Sequence, residues 1–321
     1  MTGESQALAS KDRGRVVVTG AAGLVGQNLI PRLKTVGFAD IVAIDKHRAN
    51  ARVLRELHPD IRVIEADLAR DDGWQPHLAG ARRLVISHAQ IGGLDERAFT
   101  ANNVTATERL LAVARTAGVE HIVHVSSSVI SSAAVDLYTE SKKAQEQRVL
   151  ESGIPAAILR PTLMFGWFDR KHVGWLARFM ARTPVFPIPG NGRYLRQPLY
   201  AGDFSSIVAA ALDRRITGMH NVSGLDKIDY IDLIRELRSV LELRTPIVRI
   251  PYPLFRAALG TYAVFDRDPP FTVSQLEALA TPDVFEVTDW PGIFGVTPTP
   301  LLEALRQTFR DPVHSSITLD F

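Results

Sequence analysis

The sequence contains no cysteine among its 321 residues. Disulfide bonds, thiolate catalysis and cysteine-ligated metals are therefore excluded, and the reducing cytosol is the natural compartment. The histidines show no metal-binding spacing, because His121 and His124 are three positions apart on a predicted strand and point to opposite faces. We therefore expect no metal centre.

Long apolar runs and dense basic runs are also missing. No apolar stretch reaches the roughly 18 residues that a membrane span needs, and the polar N-terminal segment lacks the apolar core of a signal peptide. A net charge of +2 is too small to indicate nucleic-acid binding. We expect a cytoplasmic protein that binds neither nucleic acid nor membranes, with a disordered lead-in over residues 1–14.

Short apolar strand patterns alternate with helical patterns through the first half of the chain. This alternation implies βαβ units and a parallel sheet, and the apolar strand centres indicate burial on both faces. The predicted fold is a doubly wound, Rossmann-type α/β domain over residues 15–165, with its core continuing to about 225. The predicted strands are 15–20, 40–45, 61–68, 82–87, 121–128 and 156–161, and the predicted helices are 24–37, 101–117 and 138–152.

The composition changes after residue 165, where aromatic residues, prolines and glycines are mixed. Helical patterns follow at 203–214, 229–242 and 273–280. We therefore expect residues 166–321 to form mainly a smaller, substrate-binding lobe.

A glycine-rich stretch, "TGAAGLVG", follows the first predicted strand and leads into a predicted helix. Gly20 allows a tight turn, Gly23 lets the backbone approach a pyrophosphate, and Gly26 permits close packing of the helix on the sheet. The N-terminus of that helix favours the negative charge of a phosphate. This strand–loop–helix context is the one that a dinucleotide-binding loop requires.

Acidic residues follow the next two predicted strands. Asp45 lies nineteen positions after Gly26, where a carboxylate accepts hydrogen bonds from the ribose hydroxyls of NAD and repels a 2′-phosphate. Asp67 and Leu68 end the third strand, near the expected adenine. The predicted cofactor is NAD, although the basic side chains of Lys46 and Arg48 could also meet the 2′-phosphate of NADP.

The stretch "YTESK" places the phenol of Tyr138 and the amine of Lys142 four positions apart on a predicted helix. Positions i and i+4 share one helix face, so both groups can act at one site. An isolated tyrosine has a pKa near 10, and a nearby ammonium favours its ionised form. The alternative is that both are ordinary helix residues. The three serines at 126–128 stand at the carboxyl edge of the sheet, where open α/β sheets bind ligands, or they cap a polar strand exit.

The chain resembles a known family in five motifs that occur in the expected order. These are the glycine loop, "NNVTATERLLAVARTAGVEHIVHVSSS", "YTESKKAQE", "ILRPTLMFG" and "PGNGRYLRQPLYAGDFSSIV". They are similar to motifs of the extended short-chain dehydrogenase/reductases, the NAD-dependent epimerase/dehydratase group, which acts mostly on nucleotide sugars. The resemblance runs from about residue 15 to residue 310.

The resemblance implies a role for particular residues. Tyr138 would be the general acid/base, and Lys142 would lower its pKa and bind the nicotinamide ribose. Ser128 would hydrogen-bond the reacting oxygen, and Arg196 would meet a substrate phosphate. The implied cofactor contacts are Gly20, Gly23, Leu24, Val25, Gly26, Asp45, Asp67, Leu68, Asn103, Tyr138, Lys142 and Pro161.

Two features depart from the family pattern. Only nine residues separate Ser128 from Tyr138, whereas many nucleotide-sugar enzymes have a longer loop there that touches the sugar. The fourth strand ends in "ISHAQIGG", where the family usually has a His-x-Ala-Ala-like turn. His88 either keeps part of that pattern or is a hydrogen-bonded core histidine, which is the interpretation that we favour. The short loop and the C-terminal motifs are similar to atypical members, one of which is a subunit of respiratory complex I.

The functional hypothesis is NAD-dependent oxidation, reduction or epimerisation at a carbinol or keto carbon of a nucleotide sugar. Two alternatives stay open. One is a non-catalytic dinucleotide-binding subunit that stabilises an assembly, and the other is a dehydrogenase of a non-sugar alcohol such as a sterol. The sequence also leaves open whether the protein forms a homodimer.

Overall fold

The computed structural model of the chain describes residues 13–131, 136–265, 276, 286 and 288–320. The predicted lead-in therefore lies outside the described residues, except for its last two. The strands are β1 (Arg15–Thr19), β2 (Ile41–Asp45), β3 (Arg62–Glu65), β4 (Ala81–Ile86), β5 (His121–Val125), β6 (Ala156–Pro161), β7 (Met164–Phe165), β8 (Phe186–Pro189), β9 (Leu195–Arg196), β10 (Leu199–Tyr200), β11 (Gly218–Val222), β12 (Ile228–Asp229) and β13 (Ile247–Ile250).

The α-helices alternate with the strands of the first half of the chain, as the sequence predicts. A π-helical turn at Thr100–Thr105 leads directly into α4. The helices are α1 (Leu24–Val36), α2 (Arg48–Leu57), α3 (Glu96–Phe99), α4 (Ala106–Thr116), α5 (Leu137–Glu151), α6 (Val173–Arg182), α7 (Ala201–Arg214), α8 (Tyr230–Val240), α9 (Tyr252–Phe265), α10 (Trp290–Phe294) and α11 (Leu301–Phe309).

The central sheet has seven strands in the order β11-β6-β5-β4-β1-β2-β3. The five pairings among β1 to β6 are parallel. Strands β1, β2 and β5 are buried along most of their length, because helices cover both faces of a doubly wound sheet. The α/β fold with a Rossmann strand order is therefore confirmed.

Two predicted strands end three residues earlier than the sequence indicated. The third strand ends at Glu65 and the fifth at Val125, so that Asp67 and the three serines lie in the turns beyond them. Side chains there cap the backbone instead of extending the ladder. The Asp67 carboxylate accepts from the Ala69 backbone N–H at 2.9 Å.

The described residues fall into two compact units that interleave along the chain. The first comprises residues up to 159 together with 205–219 and 320, and the second comprises 160–204 and 220–319. One core cluster of the first unit joins the sheet to α4. Its buried members are Val17, Val42, Ile44, Ala66, Leu68, Trp74, Leu78, Ala81, Leu84, Ile86, Ala106, Leu110, Leu111, Ala114, Val119, Ile122 and Val149.

The second unit contains three two-stranded pairings and several helices. Strands β7 and β10 pair in parallel, as do β8 and β13, whereas β9 and β12 are antiparallel. The helices predicted at 203–214 and 229–242 are α7 and α8, and the one predicted at 273–280 lies outside the described residues apart from Leu276. Within the described part of the chain, no helix is long and apolar enough to cross a membrane.

Candidate active site

The glycine loop follows β1 and turns into α1. Gly20 has a positive φ of 64°, and a side chain there would collide with the backbone of His88. A Cβ added to Gly26 would overlap the backbone of Ala21, so this glycine lets α1 start directly against the loop. Among the described residues, a Cβ added to Gly23 would meet only the Gly20 oxygen, at 3.4 Å, so there is room beside this glycine.

The first turn of α1 has no side-chain cap. Gly23 is its N-cap residue, and Leu24 and Val25, half-buried, begin the helix. Backbone N–H groups at a helix N-terminus have no partner within the helix, and they favour an anion. The loop and the helix start together have the features that a pyrophosphate needs.

Asp45 ends β2 beside this loop. One carboxylate oxygen accepts from the Ala22 N–H at 2.9 Å and the other from the His47 N–H at 2.9 Å. A carboxylate has about four acceptor positions, so two remain for a ribose diol. The side chain of Lys46 donates to Asn102 at 2.7 Å instead of pointing freely into solvent.

Asp67 and Leu68 lie in the turn after β3. The backbone N–H of Asp67 donates to the Asp71 carboxylate at 2.6 Å, so the acid is part of a local turn. The Leu68 side chain belongs to the core cluster. The structure therefore gives both residues a local structural role beside the adenine contact that the sequence predicts.

Helix α5 carries Tyr138 and Lys142. Asp136 caps its N-terminus, because its carboxylate accepts from the Thr139 N–H at 2.8 Å. The buried face of this helix is unusually polar, since five of its six buried residues carry polar side chains. These are Thr139, Ser141, Lys142, Gln145 and Glu146, with Val149 as the apolar exception.

Lys142 is only 1% exposed. Its Nζ donates to the Val125 carbonyl at 2.9 Å and to the Gln145 side-chain oxygen at 2.5 Å. Burial lowers the pKa of Lys142 from 10.5 to about 7, partly opposed by the negative charge of Glu146. Lysine is rarely buried to this extent unless it is paired or functional.

The Tyr138 phenol hydrogen-bonds the Ser127 side chain. Burial raises the pKa of Tyr138, the charge of Asp136 raises it further, and only the Ser127 hydrogen bond lowers it. The resemblance implies that the Lys142 ammonium lowers this pKa, but burial is the largest effect on it, and the Lys142 Nζ is directed to Val125 and Gln145. The serine that hydrogen-bonds the phenol is Ser127. Ser128 begins a 3₁₀ turn, and its hydrogen bond to the reacting oxygen stays a prediction.

Asn103 lies fully buried in the π-helical turn before α4. Its amide nitrogen donates to the Ser141 hydroxyl at 2.9 Å, and its oxygen accepts from the Gln90 N–H at 2.6 Å. Such turns are frequent at functional sites. The side chain joins the turn after β4 to the polar face of α5.

Pro161 and Arg196 belong to the second compact unit. Pro161 closes β6, and Arg196 lies on β9, where its guanidinium stands 5.8 Å from the centroid of the Tyr194 ring. Its Nε and Nη2 atoms are buried.

Sequence reasoning missed two buried side chains, Gln145 and Thr107, which connect Lys142 to His88. Gln145 accepts from the Lys142 Nζ, Thr107 accepts from the Gln145 amide at 2.9 Å, and His88 lies 3.1 Å from the Thr107 hydroxyl. Gln145 lies three positions after Lys142, so the helical period alone could have revealed it. His88 is half-buried, and both of its ring nitrogens lie within hydrogen-bond distance of threonine hydroxyls.

Residues 16–222 match the model of the NAD dependent epimerase/dehydratase family. The chain is 24% identical over 248 residues to the ceramide reductase of Caulobacter vibrioides (strain NA1000 / CB15N), covering 77% of this chain and 76% of the reductase. It is 28% identical over 318 residues to the mitochondrial NADH dehydrogenase (ubiquinone) 1 alpha subcomplex subunit 9 of Rattus norvegicus, covering 91% of this chain and 80% of that subunit.

Among solved structures, UDP-glucuronic acid 4-epimerase from Bacillus cereus, in complex with NAD, has a TM-score of 0.72 and 19% identity, over 92% of this chain and 97% of the epimerase. At this identity the likeness shows the fold. The fold and the glycine loop are typical of dinucleotide-binding proteins of the short-chain dehydrogenase type. The chain belongs to the NAD-dependent epimerase/dehydratase family, the extended short-chain dehydrogenase/reductases.

Proposed function

We propose that the protein is an NAD-dependent oxidoreductase that acts at a carbinol or keto carbon, with Tyr138 as the proton-handling group. The observation that carries this proposal is the buried amine of Lys142, one turn after Tyr138 on the polar face of α5. Burying an amine costs free energy unless hydrogen bonds compensate. A site that maintains such a group at a pKa near neutrality is typical of catalysis.

The residues of the first unit fit NAD. The loop from Gly20 to Gly26 leaves space at Gly23 and presents an uncapped helix N-terminus to a pyrophosphate. Asp45 keeps two acceptor positions for the ribose diol, and Lys142 keeps one N–H beyond the two that it donates. When bound, NAD accepts a hydride from a carbinol carbon, or as NADH returns one to a keto carbon.

The phenol of Tyr138 favours the direction of reduction. Its pKa is raised, so it is protonated at neutral pH and can donate a proton to a carbonyl oxygen. The Ser127 hydroxyl fixes the position of the phenol. The opposite direction requires additional positive charge near the phenol, because an anion there is disfavoured by burial and by Asp136.

For the substrate, we favour a keto or hydroxyl group on an apolar molecule over a nucleotide sugar. The ceramide reductase is similar over three quarters of both chains, whereas the likeness to sugar epimerases shows the fold. The short segment between Ser128 and Tyr138 lacks the length of the usual sugar-contacting loop.

A nucleotide sugar is the second candidate, since the sequence motif around Arg196 resembles that of the sugar enzymes. A non-catalytic role is the third, because a complex I subunit is similar over 91% of this chain. The buried Lys142 beside Tyr138 argues against that role.

The proposal is tested by NAD and NADH titration, followed by turnover on a panel of apolar ketones and nucleotide sugars. Tyr138→Phe keeps the ring and removes the proton donor, so single-turnover hydride transfer should fall by about 10²–10⁴-fold, with little change in NAD affinity. Tyr252→Phe, at the start of α9, is the matched control and should keep the parental rate. A Tyr138→Phe protein with parental turnover would disprove the assignment, and a parent that binds NAD but turns over neither substrate class would favour the non-catalytic role.

A further inference from the structure

Lys142 is the first member of a continuous chain of hydrogen-bonded side chains. Its Nζ donates to the Gln145 oxygen at 2.5 Å, and the Gln145 amide nitrogen donates to the Thr107 hydroxyl at 2.9 Å. Thr107 in turn lies 3.1 Å from Nε2 of His88. Lys142, Gln145 and Thr107 are each at most 1% exposed. The chain therefore runs through α5 and α4 to the end of β4.

The orientation of the Gln145 amide is determined by its partners. Besides Thr107, its nitrogen donates to the His88 backbone carbonyl at 3.4 Å, and a carbonyl can only accept. The amide oxygen must therefore face Lys142, whose ammonium can only donate.

The far end of the chain fixes the direction of the other hydrogen bonds. The Thr19 hydroxyl lies 3.1 Å from the Val85 carbonyl and must donate to it. Thr19 is then an acceptor for Nδ1–H of His88 at 2.8 Å, which leaves Nε2 of the neutral ring to accept from the Thr107 hydroxyl. Every donor between Lys142 and Val85 consequently points the same way, and such hydrogen bonds polarise one another.

We propose that Gln145, oriented by Thr107 and His88, is the positioning residue of Lys142 and favours its protonated amine. This inference rests on the proposed function, because it assigns Lys142 to the site. Gln145 and the Val125 carbonyl each take one N–H of the amine, and the third N–H remains for the cofactor ribose or for Tyr138. A chain of aligned donors leading away from the amine stabilises its positive charge.

The charged and titratable groups that face Lys142 are consistent with this direction. Glu146, on the same helix, stabilises the ammonium. Burial lowers the pKa of His88 to about 3, helped by the charges of Lys142 and Lys46, so the ring stays neutral and its Nε2 stays an acceptor. Burial also keeps the pKa of His124, on β5, well below its usual value.

The test is a pair of variants with opposite expected effects on one titration. Gln145→Glu keeps an acceptor and adds negative charge, so the pKa of Lys142 should rise by a unit or more. Gln145→Leu removes the acceptor, so the pKa should fall. The readout is the NMR titration of lysine labelled with ¹³C at Cε, in the full chain without cofactor, with the Lys142 signal assigned by its loss in Lys142→Met. The exposed Lys143 provides the internal control and should not shift.

A purely structural role for Gln145 would lower stability in both variants without moving the Lys142 pKa in opposite directions, and that result would overturn the proposal. If Gln145→Leu does not fold, Gln145→Glu alone tests the proposal, because an unchanged Lys142 pKa in that variant would also overturn it. In NAD titrations, Gln145→Leu should weaken binding several-fold. A parent that binds no NAD would disprove the proposed function, whereas the lysine titration would still test the positioning.

Discussion

Replacing Lys142 by methionine should make the stability of the protein less dependent on pH. The side chain of methionine has a similar length but no charge. In the parent, burial lowers the pKa of Lys142 from 10.5 in the unfolded chain to about 7 in the folded protein. The unfolded chain therefore binds a proton more tightly than the folded protein, and the parent gains stability as pH rises from about 7 to 10.5.

The size of this effect follows from the pKa difference. One pKa unit corresponds to about 1.4 kcal/mol, so the amine lowers the free energy of unfolding by about 4 kcal/mol at pH 7 and by about 2 kcal/mol at pH 9. Below pH 7 the penalty levels off, since both states are then protonated. The variant leaves the Val125 carbonyl and the Gln145 oxygen without their donor, which costs about 1–3 kcal/mol for each group but does not vary with pH.

The measurement is urea unfolding of the parent and of Lys142→Met at pH 6, 7, 8 and 9. The free energy of unfolding of the variant minus that of the parent should decrease by about 2 kcal/mol from pH 7 to pH 9, and should be nearly constant from pH 6 to pH 7. Lys143→Met is the matched control on the same helix, because Lys143 is exposed and pairs with Glu140 at 2.9 Å. Its difference from the parent should stay within about 0.5 kcal/mol at every pH. A flat difference for Lys142→Met as well would show that the amine is solvated in the folded protein.

Two further predictions concern the cofactor loop. Gly26→Ala should lower the free energy of unfolding by about 1–3 kcal/mol in urea unfolding, because the added Cβ overlaps the Ala21 backbone. Gly73→Ala is the control and should be nearly neutral, because a Cβ there meets nothing within 4 Å. Equal effects of the two substitutions would contradict the packing argument. Asp45→Asn should reduce the preference for NAD over NADP in thermal-shift titrations, since the amide lacks the charge that repels a 2′-phosphate, and an unchanged preference would assign that selectivity to other residues.

The sheet was predictable because its strands carry strong local signals. Runs such as Val16–Val18 are apolar and β-branched, and glycine, proline or acidic residues stop them. Strand β11 was missed because Gly218–Val222 is short, partly polar and largely exposed. Helix α2 was missed although its apolar and charged residues follow a helical pattern. The small strand pairings of the second unit depend on contacts between distant segments, which no local period records.

The candidate site was predictable only in part. The spacing of Tyr138 and Lys142 on one helix follows from the helical period, and the order of the motifs follows from the chain. The identity of the serine that hydrogen-bonds the phenol depends on where β5 ends. The turn at Ser127 sets that end, and the apolar run of the strand does not reveal it. The His88 contact joins residues on different elements, so neither periodicity nor spacing could have predicted it.

The polar buried face of α5 helps to distinguish a catalytic role of the protein from a role in assembly alone. A subunit that only binds a dinucleotide and stabilises its partners would gain stability from apolar residues at Lys142 and Gln145, because buried amines and amides are costly wherever a hydrogen bond is imperfect. The chain instead buries the amine, which lowers its pKa to about 7, and gives it two acceptors, the Val125 carbonyl and the Gln145 oxygen. A protein keeps such a destabilising group where function depends on it. The cost of Lys142 is therefore itself an argument for proton chemistry at Tyr138.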